Sequence, residues 1–326
     1  MDVISQKAGR LDSVLSEALG LPRNQIEKLI KTVGVHVEGI LTYKNSLKLI
    51  GGETIAYTFV EASPSQTVYP VSFDVPILYE DEHLLVVNKP PFLTVHGAPS
   101  VKEATLVDWL HVKGISLSTL SGEERHGIVH RIDKETSGAL VVAKSNAVHT
   151  ALSSQLEDKS MGRYYLAIID VPLKEDMVIE LPIGRNPNHR LKMAITQEGR
   201  SAKSAFCKLA TSKDGKKELI AIKLFTGRTH QIRVHLGALS RHILGDSLYG
   251  FKSQNGTIPR VMLHAYEVYL NHPHTDMPLS VHAPLWDDFE ATLAHLFSKE
   301  SYDEKIKPDC IRRCFDTVDQ WVRKDT

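Results

Sequence analysis

Asp133 stands in a polar turn with a cation on either side, Arg131 and Lys134. The turn follows an apolar pair, Ile128-Val129, and leads into a strand-like run from Ala139 to Ala143. Nearby positive charge favours the ionised form of a carboxylate, and that is the form a nucleophile or a general base must present. On its own, an Arg-x-Asp would read as a surface ion pair. Cleavage of a glycosidic bond by paired acids would need a second carboxylate at a set separation. The neighbourhood offers only Glu135, on the same turn.

A second group comprises Arg228, His230, Arg233 and His235. It lies where the strand-like run Leu219 to Phe225 ends in Thr226-Gly227 and a helix can begin near Thr229. Helix N-termini attract anions through free backbone N–H groups, and arginine grips carboxylate or phosphate through two parallel hydrogen bonds. The i,i+5 separation of His230 and His235 places them on different helix faces, which argues against a shared metal. Cys207, Cys310 and Cys314 form neither a disulfide framework nor a zinc pattern and read as reduced thiols, so no metal site is expected.

These groups need a frame. The chain has 326 residues, 42% hydrophobic and 24% charged, which suits a globular protein with room for two domains. No apolar run approaches the ~20 residues of a membrane span. The opening, Met1 to Lys7, lacks the pattern of a signal peptide. A cytoplasmic protein without a membrane partner is therefore expected. The formal net charge is zero, but Arg185 to Arg233 holds twelve Lys/Arg against three Asp/Glu, and Trp286 to Thr326 seven against ten. A basic middle of this kind can present a phosphate-attracting face.

Residues 9 to 59 read as a small module. Val14, Leu15, Ala18 and Leu19 have helical spacing, Pro22 opens a second helix over Asn24 to Lys31, and Gly34 ends it. Val35 to Gly39 and Leu47 to Val60 read as strand, the latter broken at Gly51-Gly52. A small polar linker with prolines follows. From about residue 72, strands and helices alternate: strands at Leu84 to Asn88 (stopped by Lys89-Pro90), Arg163 to Ile169, Leu219 to Phe225, Val261 to Leu270 and Leu279 to Ala283, and a helix over Asn146 to Glu157 capped by Ser145 or Asn146.

The run His130-Arg131-Ile132-Asp133-Lys134-Glu135-Thr136-Ser137-Gly138 resembles the catalytic motif of the RluA-type pseudouridine synthases, His-Arg-Leu-Asp-x-x-Thr-Ser-Gly, with Ile132 in place of Leu. Further segments resemble the same family in the same order: Glu80 to Pro90; Arg163-Tyr164-Tyr165-Leu166-Ala167, with Arg163 in a lysine position; Pro182 to Arg185; Thr226 to Leu236; Ile243 to Gly250; and Met262 to Ala265. Residues 9 to 59 resemble an S4-type RNA-binding domain, with Glu38 where that pattern has Asn and Glu53 directly after the glycines.

The resemblance implies an α+β protein: a mixed, largely antiparallel-sheet catalytic domain behind a small N-terminal α/β S4-like domain. The expected bounds are 1–61 for the S4-like domain, 62–71 for the linker and 72–326 for the catalytic domain. Residues 298–326 form a C-terminal extension, expected as a packed helix or a mobile tail. The implied reaction is isomerisation of uridine to pseudouridine in structured RNA, with large-subunit ribosomal RNA as the expected substrate and the base flipped out. Atoms are neither lost nor gained, so no cofactor is implied. The implied catalytic set is Asp133, Tyr165 and Arg233, with Arg233 pairing to Asp133. Whether Asp133 attacks the nucleoside or removes a ribose proton is open. Arg131 is the implied wedge that fills the vacated stack. RNA-binding roles are expected for Arg131, Arg228, His230, Lys89, Arg10, Arg23, Lys28 and Lys31. The segments Ile243 to Gly250 and Met262 to Ala265 are expected to shape the fold and the RNA groove. A monomer acting on RNA, or on pre-ribosomal particles, is implied; transfer RNA as target and a non-catalytic ribosome-assembly factor are the alternatives.

Overall fold

The computed structural model describes residues 2–20, 23–58, 69–98, 100–120, 126–250 and 258–325. Pro22, the Lys28 side chain, the strand end at Phe59-Val60 and residues 62–68 of the expected linker lie outside the described residues. The chain divides into two compact units, Met1–Val68 and Tyr69–Thr326.

The N-terminal unit runs β1 (Asp2–Ile4), β2 (Gly9–Arg10), α1 (Leu11–Leu19), α2 (Arg23–Thr32), β3 (Val35–Val37), β4 (Ile40–Thr42), β5 (Lys48–Leu49) and β6 (Thr54–Ala56). Leu11 and Leu15 on α1 and Ile26 and Ile30 on α2 recur at helical spacing and bury their faces against Ile55 and Val35. The antiparallel sheet has the order β1-β6-β3-β4. The strand expected from Leu47 is broken at Gly51-Gly52 as read from the sequence, and its two parts, β5 and β6, are short. Gly51 and Gly52 take positive φ, and the Glu53 carboxylate gathers the N–H groups of Ile50 and Gly51 and the Ser5 hydroxyl into the turn.

The second unit begins with β7 (Ile77–Glu80), β8 (Leu84–Lys89), α3 (Leu106–Val112), β9 (Ser137–Ala143), α4 (Asn146–Asp158) and β10 (Gly162–Ile169). It continues with β11 (Met177–Glu180), β12 (Ile183–Arg185), β13 (Met193–Ile195), β14 (Lys203–Thr211), β15 (Glu218–Leu224) and α5 (Gln231–Ala238). It closes with β16 (Leu263–Asn271), β17 (Pro278–His282), α6 (Asp287–Leu296), α7 (Lys299–Tyr302), α8 (Pro308–Cys314) and β18 (Val322–Asp325). Among the described residues these build a ten-stranded sheet in the order β18-β11-β14-β15-β10-β16-β9-β8-β7, with β17 also on β16. Pairing is antiparallel except at β9–β16 and β11–β18. The fold is α+β with a mixed, mostly antiparallel sheet. Strands β8, β9 and β10 are buried along their whole length, as their unbroken apolar runs require.

The C-terminal extension contains the expected packed helix, with Ile311 and Phe315 in the core, and adds further elements. It forms α7, α8 and a final strand that adds in parallel to β11. Phe315 stacks on Tyr164, and Tyr266 donates its hydroxyl proton to the Ile306 carbonyl.

Candidate active site

Three buried basic side chains, Lys89, Arg233 and Arg260, and the close backbone approaches at Gly138 and Gly245 shape the Asp133 turn. His130 is buried, and its Nε2 accepts the Val141 N–H at 3.0 Å, pinning the approach to the turn onto β9. Burial drives the His130 pKa down to about 3, so the ring is a neutral acceptor. The Thr136 N–H returns to the Asp133 carbonyl at 3.1 Å. Arg260 donates to the Glu135 carbonyl at 3.3 Å, and the Glu135 carboxylate accepts the Val261 N–H. Glu135 is thus occupied at the base of the loop rather than offered as a second acid. The Ser137 hydroxyl bonds His264 Nδ1 at 2.9 Å.

Gly138 stands where β9 meets β16 and has φ +114°. A Cβ there would come within 2.2 Å of the Ala265 carbonyl oxygen, so only glycine fits. The segments around Asp133 and His264, distant in sequence, form one joint.

Lys89 departs from its expected RNA-facing role. Its side chain is fully buried, and its ammonium donates to the carbonyls of Pro90 (2.7 Å), Leu93 (2.9 Å) and Lys134 (3.1 Å). Burial, helped by nearby Arg260, lowers its pKa to about 7.

Arg233, on the buried face of α5, reaches the acid from the other side. One terminal nitrogen lies 3.1 Å from Asp133 Oδ2. Its Nε and second terminal nitrogen hold the buried Asp246 carboxylate at 2.7 and 2.8 Å. The guanidinium lies 4.9 Å from the centre of the Tyr249 ring. The segment Ile243 to Gly250 therefore supplies direct supports for the site, beyond the shaping role read from its sequence. Gly245 makes its path possible: a Cβ there would meet the Arg260 carbonyl oxygen at 1.8 Å.

Helix α5 begins at Gln231, just past the expected start near Thr229, with His230 as its N-cap in the left-handed region (φ +56°). His230 Nε2 lies 3.8 Å from Asp133 Oδ2. The turn before α5 is fixed by Gln231, which lies within the Thr226 to Leu236 motif but is not singled out by the sequence. Its buried amide oxygen accepts the Arg228 N–H and the Thr226 hydroxyl, and its amide nitrogen reaches the Lys203 carbonyl and Ser204. His235 is not at the site: it is fully buried, between the Ser204 hydroxyl and the Leu181 carbonyl.

Tyr165 projects from β10, and burial raises its pKa, so the phenol is neutral. One cleft brings together Asp133, Tyr165, Arg233, Arg131, Arg228 and His230, with Arg163 and Leu263 in its wall. Arg131 is exposed at the cleft. Arg228 donates to the Ser201 carbonyl at 3.0 Å. Arg163 is buried, and its Nε has no partner among the described residues.

Arg10, Arg23 and Lys31 belong to the N-terminal unit. Arg10 and Arg23 both bond the buried Asp12, whose pKa falls to about 2, chiefly through the Arg10 hydrogen bonds. Lys31 is exposed. The described residues hold no cluster of three or more metal-ligating side chains.

A carboxylate gripped by Arg233 beside buried Tyr165, in a cleft lined by further arginines, is placed to act on a bound substrate as nucleophile or base. Residues 83–238 match the family model described as RNA pseudouridylate synthase. An RNA pseudouridine synthase of Helicobacter pylori strain J99 is 45% identical over 316 residues, covering 94% of this chain and 95% of the relative. The ribosomal large subunit pseudouridine synthase D of Nitrosomonas europaea is 36% identical over 292 residues, 87% of this chain and 83% of the relative. The solved structure of human RNA Pseudouridylate Synthase Domain Containing 4 aligns with a TM-score of 0.53 at 25% identity, over 68% of this chain and 94% of the human one. The chain belongs to the RluA-type RNA pseudouridine synthases. It is an enzyme that converts uridine in RNA to pseudouridine.

Proposed function

We propose that this enzyme isomerises particular uridines of large-subunit ribosomal RNA, with Asp133 as the group that acts on the ribose. The carrying observation is the 3.1 Å contact between Arg233 and Asp133 inside a cleft shared with Tyr165. Binding phosphate alone gives no reason to place a carboxylate among arginines. The uridine is extruded from its stack, Arg131 takes its place, and the base lies against Tyr165. Arg233 fixes the Asp133 carboxylate toward C1′ and C2′, as a nucleophile at the first or a base toward the proton of the second. The bond from C1′ to N1 breaks, the base turns, and C5 joins C1′; the C5 proton is lost and N1 gains one, so the net composition is unchanged.

The ribosomal target is favoured by the similarity to the Nitrosomonas relative and by the basic stretch from Arg185 to Arg233. RNA held through phosphates binds more weakly as salt rises. The N-terminal unit, with exposed Lys31, is assigned to RNA binding in the manner of an S4 domain. The test is a pseudouridine map of ribosomal RNA from cells lacking the protein, rescued with wild type or with Asp133→Asn. Sites lost on deletion and restored by wild type alone identify target and catalyst together. An unchanged ribosomal map sinks the ribosomal reading and directs the search to transfer RNA. Restoration by Asp133→Asn removes Asp133 from the chemistry.

A further inference from the structure

His230 and Tyr249 form a pair that the Asp133–Arg233 contact does not require. The Tyr249 oxygen accepts the Met193 N–H at 2.7 Å and lies 2.8 Å from His230 Nδ1. No other hydrogen bond to that phenol is present among the described residues. Its single O–H is therefore available to Nδ1, while the opposite arrangement would leave the O–H without an acceptor. With Nδ1 accepting, the ring proton belongs on Nε2.

Burial lowers the His230 pKa from its ordinary value, against the opposing pull of Asp133, so the ring is neutral near pH 7. Arg233, Asp246 and Arg131 are the other charged groups around it. Nε2 lies 3.8 Å from Asp133 Oδ2, beyond hydrogen-bond reach, in the wall of the same cleft. A histidine held at φ +56° carries a backbone cost that persists where the surroundings over-determine it. Here those surroundings aim an unspent N–H at the reacting centre.

We propose that Tyr249 is a positioning residue that fixes His230 as the Nε2–H tautomer, and that this N–H is a catalytic donor to a carbonyl oxygen of the extruded pyrimidine. The inference rests on the reading of the Asp133 cleft as the uridine site. When the bond from C1′ to N1 breaks, its electron pair passes to the base and spreads onto the carbonyl oxygen beside N1. A preorganised N–H at that oxygen stabilises the developing charge, and its proton stays on the imidazole.

The experiment has a spectroscopic and a kinetic arm. The full chain is labelled with ¹⁵N-histidine, and the His230 signals are assigned by their loss in His230→Gln. Wild type shows the Nε2–H pattern, and Tyr249→Phe shows a mixture of tautomers. A proton on Nδ1 in wild type, or no change in Tyr249→Phe, overturns the proposal.

In the kinetic arm, turnover is followed on unmodified large-subunit ribosomal RNA. His230→Ala lowers kcat by about 10²-fold, the scale of a lost charge-stabilising donor. Tyr249→Phe lowers it by about tenfold with KM little changed, as for a residue acting through its neighbour. His230→Gln keeps an amide N–H at similar reach and has no ring tautomer to fix. In that background Tyr249→Phe costs less than about twofold, because the coupling is gone. Equal losses in both backgrounds would mean that the phenol serves only Met193 and Arg233. The tautomer measurement needs no RNA, so a wild-type enzyme inactive on this substrate sinks the ribosomal reading and leaves the spectroscopic arm to decide.

Discussion

The Lys89 ammonium donates to the carbonyl oxygen of Lys134, the residue after Asp133, at 3.1 Å. Three carbonyls suit a protonated ammonium, while full burial disfavours its charge, and burial prevails: the pKa drops to about 7. An unfolded lysine titrates near 10.4. Between about pH 7 and 10 the unfolded chain therefore binds a proton that the folded one has released, and stability attributable to this group rises with pH across that window. Below it both states are protonated and the contribution is level. Urea unfolding of wild type and Lys89→Met at pH 6, 7.5 and 9 checks this. The stability difference, wild type minus variant, should increase toward pH 9, and a flat difference would mean that the buried lysine keeps its proton.

Gly138→Ala should be among the most damaging small substitutions in the chain. The added methyl would sit 2.2 Å from the Ala265 oxygen, and φ +114° disfavours any L side chain. Relief requires β9 to part from β16, which moves the Asp133 loop. A loss of about 3 kcal/mol or more is expected, as for overpacking combined with a strained backbone. Thermal unfolding measures it. A variant with near-native melting and turnover would show that the joint is slack.

Asp246→Ala leaves Arg233, among the described residues, with Asp133 as its one carboxylate partner beside the Tyr249 ring. Removing one partner of a buried ion pair typically costs about 3–5 kcal/mol. Asp246→Asn keeps the shape with one acceptor oxygen, and the guanidinium gains freedom to rotate away from Asp133. The Asn variant should fold, bind RNA with affinity close to wild type and lose about 10²-fold in kcat, since a small misplacement of a reacting group is costly. Parallel filter-binding and single-turnover assays separate the two effects, and a loss confined to binding would place Arg233 among the phosphate contacts instead.

The parts of this site that are legible in the sequence are those whose meaning is local. The Asp133 turn packs its cations, its threonine and its glycine into nine consecutive residues, and α5 announces itself by a strand ending in Thr226-Gly227. Tyr165 is legible only by its place in an ordered series, because nothing in its own strand distinguishes a cleft-facing tyrosine from Tyr164, which packs on Phe315. Lys89 misleads because a Lys-Pro turn looks alike whether it faces solvent or the interior; only the pairing of β8 with β9 decides. Asp246 and Tyr249 find their partners on α5 through a fold-back of the intervening chain, and no periodicity encodes that. Sequence proximity groups His235 with the site, yet two residues along a helix turn a side chain to a different face. The last strand joins β11 across more than a hundred residues, a parallel pairing that no sequence pattern near Val322 reveals.

Arg312 on α8 pairs with Glu267 on β16, and this pair anchors the C-terminal extension. Glu267 is 1% exposed, and burial raises its pKa while Arg312 opposes the shift. In Arg312→Met the opposing charge is gone and the carboxyl moves further up. A carboxyl whose folded pKa exceeds its unfolded value near 4.3 binds protons better when folded, so stability is gained as pH falls through the folded value and lost as pH rises through it. The variant's deficit should therefore be largest near pH 8 and shrink toward pH 5. Arg312 is 38% exposed, so the deficit at pH 8 should be about 1–3 kcal/mol, less than for a fully buried pair. Denaturant unfolding at the two pH values measures both numbers. A deficit that instead grows on acidification would mean that Glu267 is not the group left stranded, and that α8 is held chiefly by Phe315 and Ile311 in the core.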